Sequence, residues 1–351
     1  MRSVLLGLLG WGAAWACLTS GCTHDRATAR PEHIAREGSP IQGGETDEAD
    51  TSVVAIANTT IDELCTGARI GPNLVLTAAH CVSKTTTSGA GCDAFVFGGA
   101  VDPANLFFSD APLAPSTLDG YAAVAEIRAV PSAGESLCDR DLALVILAST
   151  EGVAASPALV PRVDAPLEVG ETFAAVGYGQ SGLGAGIGTR RRLDGLTATC
   201  VGDCNKSYTG VLEWIGHAAL AHTGGRPGDS GSPAIDAEGE VVGVFLRHLE
   251  YPGTSDKPDE LVYASLDAHA VFLREGALRA AELGGYDAPS WAVAEGDDGA
   301  PDAEGCAFAG TGETSAPGAL AVCVGIALHR RRSSKRTPKA PARSGRRAPD
   351  C

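Results

Sequence analysis

Gly225-Arg226-Pro227-Gly228-Asp229-Ser230-Gly231-Ser232-Pro233-Ala234-Ile235 is the stretch on which the reading of this chain turns. A serine stands between glycine-rich flanks, with an aspartate directly before it. Gly and Pro punctuate turns, so Ser230 belongs to a tight loop. Alone, such a serine is an ordinary polar turn residue. Two other segments give it chemistry. In CTGARIGPNLVLTAAHCV, residues Cys65 to Val82, His80 follows an apolar run and neighbours Cys81. A bridge from Cys65 to Cys81 would clamp the loop that carries it. In CDRDLALVIL, residues Cys138 to Leu147, Asp141 opens an apolar strand, so a carboxylate enters at the edge of the core. A serine hydroxyl is a poor nucleophile near neutral pH and needs a base within hydrogen-bond reach, a part that His80 can fill. The imidazolium then formed needs a negative partner that also fixes its tautomer, and Asp141 suits that.

The surrounding sequence reads as strands. SVVAIA, NLVLTAA, AFVFGG, AEIRAV, LALVIL, TFAAVGYG, GEVVGVFL and ELVYASL are short, rich in branched residues and separated by Gly, Pro, Asn and Asp. That pattern predicts an all-β barrel or sandwich. One amphipathic helix is expected in SLDAHAVFLREGALRAAEL, capped by Ser265 or Asp267, with Val271, Phe272 and Leu278 on one face.

The motifs TAAHC, DLAL and GDSGSP, in that order, resemble those of the trypsin/chymotrypsin-like serine proteases, over roughly Ile41 to Arg274. The order His80, Asp141, Ser230 differs from the subtilisin and α/β-hydrolase orders, and Ser232 breaks the Gly-x-Ser-x-Gly pattern of the latter. The resemblance implies two six-stranded Greek-key β-barrels with a C-terminal helix. It implies peptide-bond hydrolysis through an acyl-enzyme on protein or peptide substrates, with no cofactor and no metal. The oxyanion would be held by the backbone N–H groups of Gly228 and Ser230, glycine at 228 leaving its N–H unobstructed.

The resemblance also implies an activation switch. Ile41-Gln42-Gly43-Gly44 matches the family's new N-terminus, whose ammonium would pair with Asp229 and order the oxyanion loop. Pro40 precedes the cut, and the nearest basic residue is Arg36. Another protease therefore trims to Ile41, or the chain works uncut, or it stays inactive. The specificity pocket departs from the family. Gly224 stands at its base, where an aspartate would select Lys or Arg, and Arg226 replaces a cysteine of the pocket disulfide. The usual Ser-Trp-Gly substrate strand reads Leu246-Arg247-His248, which removes a hydroxyl that supports the catalytic aspartate. Tryptic specificity is not expected; small or apolar side chains are. The alternative is a non-catalytic surface binding module on the same fold.

Eleven cysteines and no CxxC pair indicate an exported, disulfide-bonded protein. Besides Cys65 with Cys81, parity pairs Cys92 with Cys138 and Cys200 with Cys204, leaving Cys351 unpaired. Residues 1–22 form an export signal: Arg2, the apolar run Val4–Ala16, then either cleavage before Cys17 or lipidation at Cys22. A pro-segment or linker (23–40), the protease domain (41–285) and an acidic linker (286–305) follow. In 306–332, Cys306 precedes the 13-residue apolar run Ala316–Leu328 and an arginine cluster. This resembles a MYXO-CTERM sorting tail and implies a processing enzyme at Cys306; residues 333–351 form a basic tail. The net charge of −16 hides a +8 tail at 329–351 and −24 on the rest. That acidic body excludes nucleic acid as a partner. Membrane contact is expected through the termini only, on a protein at the cell surface, associated with the outer membrane, or secreted.

Overall fold

The computed structural model describes residues 43–88, 92–117, 122–148, 157–180, 187–204, 209–218, 224–249 and 260–293. Ile41, Cys22 and Cys306 lie outside these residues, as do both terminal segments. The first strands in chain order are β1 (Glu45–Thr46), β2 (Val53–Asn58), β3 (Glu63–Gly71), β4 (Leu74–Thr77), β5 (Ser83–Thr87), β6 (Phe95–Ala100), β7 (Leu106–Ser109), β8 (Ala122–Ala129) and β9 (Ala143–Leu147). Then come β10 (Val160–Pro161), β11 (Thr172–Gly177), β12 (Arg191–Val201), β13 (Glu213–His217), β14 (Pro233–Ile235), β15 (Glu240–Leu249) and β16 (Glu260–Ser265), and the helix α1 (Ala270–Gly284).

These strands make two six-stranded antiparallel barrels. The first closes in the order β2-β3-β4-β9-β8-β7. The second runs β12-β11-β14-β15-β16-β13 and closes through β12 with β13. Closure removes the sheet edges that would otherwise invite aggregation. β1 joins β12, β10 joins β15 in parallel, and β5–β6 form a separate hairpin. The first core is aliphatic, built on residues such as Val54, Ile56, Leu74, Leu76, Leu144 and Ile146. The second holds most of the aromatic weight. Trp214 stacks on Tyr263 at 4.3 Å, and Phe173 meets both edge-on at 5.0 and 5.3 Å.

β4 and β9 are apolar without alternation because both their faces are covered. Inside lies the barrel core; outside lies α1, although that helix follows the second barrel in sequence. Its buried stripe is Leu273, Gly276, Ala277, Ala280 and Ala281. This corrects the expected face. Val271 is 72% exposed and Leu278 47%, and only Phe272 packs partly on the core. The contact is made by small residues because the helix lies close on the sheet: a Cβ at Gly276 would stand 2.1 Å from Leu144 Cδ1. Neither Ser265 nor Asp267 caps the helix. Ser265 ends β16, Asp267 begins a 3-10 turn, and His269 is the N-cap without a side-chain bond. Gly285, at φ +67°, closes the C-terminus in the left-handed conformation.

The folded body runs past residue 285. Tyr286 Oη donates to Asn73 Oδ1 at 2.7 Å, Trp291 packs on the first core and Ala292 is buried. Residues 286–293 thus belong to the barrel body rather than to a linker. Among the described residues no helix is long and apolar enough to cross a membrane.

Candidate active site

Strand register brings the first two residues of the site together. β4 and β9 pair antiparallel, with Thr77 opposite Ala143. His80 lies three residues beyond the end of one strand and Asp141 two before the start of the other. They meet at the barrel rim. His80 Nδ1 and Asp141 Oδ2 are 2.8 Å apart, and the His80 backbone N–H donates to Asp141 Oδ1 at 2.9 Å. The carboxylate is 5% exposed and the imidazole 20%. Burial would lower the histidine's pKa, but the charge and hydrogen bond of Asp141, with help from Glu63, outweigh it and Arg247 opposes them; the net direction is up. For Asp141, burial pushes up, while His80 and the charge of Arg247 pull down further, so the carboxyl is held below its ordinary range.

Ser230 sits in the loop before β14, in the second barrel. It is carried to the first barrel by its backbone: the N–H of Thr66 donates to Ser230 O at 2.8 Å, and Cys81 Sγ lies 3.5 Å from the same oxygen. The next residue, Gly231, has φ +84°, and a Cβ there would stand 2.1 Å from both Thr66 O and Thr77 Oγ1. Only glycine permits that approach. The Ser230 carbonyl oxygen therefore lies beside the disulfide that flanks His80. No hydrogen bond joins its hydroxyl to the imidazole among the described residues; in unliganded sites such bonds are commonly long and tighten with substrate.

Sequence reasoning missed Thr66. It is fully buried and sits where four segments of the chain meet. Its hydroxyl donates to Gly228 O at 2.8 Å and accepts from the Tyr178 N–H at 3.0 Å, and its carbonyl accepts from Thr77 Oγ1 at 2.8 Å. Thr66 thus ties both barrels to the loop that holds Gly228 and Ser230. Gly228 has φ +99°. Neither its N–H nor that of Ser230 donates to a backbone acceptor among the described residues. Between them Asp229 is 1% exposed and accepts from the N–H groups of Gly179 (2.8 Å) and Arg226 (2.9 Å). Burial pushes its carboxyl up to about 7, against the pull of those bonds and of the Arg226 charge.

A cleft of about 490 Å³ opens beside Ser230 and Gly228. Leu246, Arg247 and His248 line it, as do Asp62, Glu63 and Leu64. Gly224 does not line it. A Cβ at Gly224 would come within 2.8 Å of Leu261 Cδ1, and one at Gly225 within 2.3 Å of Phe245 Cζ. Both side chains are buried and lie close against these glycines. Arg247 is anchored from below: its guanidinium meets Glu213 with Nη2–Oε2 at 2.5 Å and Nη1–Oε1 at 3.4 Å. Glu213, 1% exposed, also accepts from the N–H groups of Asp139 (3.3 Å) and Gly210 (3.0 Å).

Among the described residues three disulfides are formed: Cys65–Cys81, Cys92–Cys138 and Cys200–Cys204. The cluster of Cys65, His80 and Cys81, with ligand atoms within 4.8 Å of one another, has the composition of a metal site. The disulfide takes both thiolates out of metal chemistry, because it is the thiolate that binds metal.

Solved structures with similar chains include the scabies mite inactivated protease paralogue S-I1, at 18% identity and a TM-score of 0.47, covering 67% of this chain and 98% of that one. Neuropsin, a serine protease expressed in the limbic system of mouse brain, matches at 16% identity with a TM-score of 0.47 and the same coverage. A search of curated proteins returned no match. The family model named Trypsin matches residues 41–265, which contain both barrels and every residue of the cleft. The chain belongs to the trypsin family.

Proposed function

We propose that this protein is an exported serine endopeptidase that cleaves peptide bonds through an acyl-enzyme, with a preference for small side chains at the position before the scissile bond. The observation that carries the reading is the 2.8 Å contact between His80 and a buried Asp141, set at the barrel rim where Ser230 is delivered by Thr66. Ser230 attacks the scissile carbonyl and His80 takes its proton. Asp141 stabilises the imidazolium and fixes the tautomer with hydrogen on Nδ1, leaving Nε2 as the base. The N–H groups of Gly228 and Ser230 receive the oxyanion. His80 then gives its proton to the departing amine, and water repeats the sequence to release the acid. The close contacts of Gly224 with Leu261 and of Gly225 with Phe245 support the preference for small residues.

Asp229 supports an activation step. A carboxylate buried beyond solvent gains most from a cation, and a free ammonium at Ile41 would supply one. Export agrees with three disulfides and the leader at 1–22, and Cys306 with its arginine-flanked apolar run would hold the protein at the surface. The test is hydrolysis of a peptide library by protein isolated from its host, with N-terminal sequencing to establish whether Ile41 is first. Cleavage that vanishes in Ser230→Ala is expected. A folded protein that begins at Ile41 and cleaves nothing would be the non-catalytic binding module.

A further inference from the structure

Thr66 holds both residues whose N–H groups are proposed to receive the oxyanion, and it holds each by its carbonyl. The Thr66 hydroxyl donates to Gly228 O at 2.8 Å, and the Thr66 backbone N–H donates to Ser230 O at 2.8 Å. One buried residue thus clamps both ends of the Gly228-Asp229-Ser230 segment. The clamp is itself braced. Its hydroxyl accepts from the Tyr178 N–H at 3.0 Å, and its carbonyl accepts from Thr77 Oγ1 at 2.8 Å. Thr77 ends β4 in the first barrel, Tyr178 follows β11 in the second, and both are fully buried.

The other carbonyls of the loop set the direction of the two donors. Pro227 O accepts from the Gln180 N–H at 2.9 Å, and Asp229 O accepts from the Ser232 N–H at 2.8 Å. A trans peptide points its N–H opposite to its C=O. The Gly228 N–H is therefore turned away from Gln180, and the Ser230 N–H away from Ser232. Of the two donors Gly228 is the softer joint. It has φ +99°, and glycine rotates at little steric cost. Its N–H keeps its aim through the bonds on either side, Gln180 on the carbonyl before it and Thr66 on its own.

The geometry points to Thr66 as a positioning residue: through Gly228 it aims the N–H that stabilises the oxyanion. This rests on the hydrolase reading for the reaction that the N–H serves. Valine has the shape of threonine without the hydroxyl. In Thr66→Val the Gly228 carbonyl and the Tyr178 N–H each lose a partner inside the protein, where an unpaired polar group is costly. Gly228 can relieve that cost by turning, and its N–H then leaves the oxyanion. The bond from the Thr66 N–H to Ser230 O and the contact of His80 with Asp141 use atoms that the substitution leaves in place.

The test is the second-order rate at which a fluorophosphonate labels the full chain produced in its host. In that reaction Ser230 Oγ bonds phosphorus, fluoride leaves and the serine proton passes to His80. The phosphonyl oxygen takes up the charge that the Gly228 and Ser230 N–H groups stabilise. Thr66→Val is expected to label about tenfold to a hundredfold more slowly at every pH, less than the roughly 10²–10³ lost when a donor is deleted outright. The final labelled fraction should equal that of the wild type, and the acid limb of the pH–rate profile should stay in place. Thr66→Ser restores the hydroxyl and should recover most of the rate. If Thr66→Val does not fold, Thr66→Ala carries the same expectation, since it removes the hydroxyl without setting a methyl against the two unpaired groups. A merely structural role would lower the final labelled fraction and leave the rate of the remainder unchanged. That result, a failure of serine to restore the rate, or a displaced acid limb would overturn the proposal. A labelled wild type with an equally fast Thr66→Val refutes the positioning role alone. A wild type that takes no label refutes the hydrolase reading and the positioning role with it.

Discussion

Single residues in this site are legible when their neighbours in sequence carry the signal. His80, Asp141 and Ser230 each sit in a local motif. Thr66 and Glu213 do not, because their partners are distant: Thr66 bonds Gly228, and Glu213 bonds Arg247. Both contacts exist only once the barrels have closed. Arg247 opposes protonation of His80, and Glu63 favours it. Arg247→Gln should therefore raise the histidine's pKa and, with the neutral imidazole as the base of the proposed mechanism, move the acid limb of kcat/KM to higher pH. Glu63→Gln should move it the other way. A pH–rate profile reads both; a limb that moves in the same direction in both variants would contradict the electrostatic account. Asp229 gives a stability prediction. Its folded-state pKa, about 7, lies above the ordinary 3.8, so the folded state binds the proton more tightly. Its contribution is fully present below the lower value and is lost as pH rises through the higher one. In uncut chain, Asp229→Asn should flatten the fall in melting temperature between those values, and exposing Ile41 in the wild type should flatten it as well.

At the scale of elements, the strands that declared themselves are those with continuous apolar runs, such as β4, β9 and β15. β12, RRLDGLTATCV, and β13, EWIGH, do not read as strands because charged residues interrupt them. The structure accommodates those charges with partners: Arg192 pairs with Asp50 and Asp194, and Glu213 with Arg247. The helix misled for the opposite reason. Its large apolar residues, Val271 and Leu278, face out, while glycine and alanine make the contact, and a hydrophobic count gives small residues little weight. Gly276→Val should lower stability by about 1–3 kcal/mol through overpacking against Leu144, whereas Val271→Ala should be nearly neutral. Urea unfolding of the two variants measures this. Equal effects would mean that the helix does not lie on β9 as described.

The whole molecule is held together by exchanged arms. β1, before the first barrel, pairs with β12 of the second, and α1, after the second barrel, covers β4 and β9 of the first. The cleft between barrels inherits its rigidity from these crossings, from Thr66 and from the Cys65–Cys81 bridge. Replacing both cysteines of that bridge by serine should cost about 3 kcal/mol, given its 16-residue span, and should lower activity more than stability because it frees the loop of His80. Thermal unfolding with and without reductant checks the first part. The central claim is that Ser230 is the nucleophile activated by His80 and Asp141. Treating the wild-type protein, Ser230→Ala and Asp141→Asn with a fluorophosphonate and locating the adduct by mass spectrometry tests it most directly. The expected result is one adduct, on Ser230, absent in Ser230→Ala and formed orders of magnitude more slowly in Asp141→Asn. An adduct on another residue, or equal labelling of all three proteins, would contradict the account.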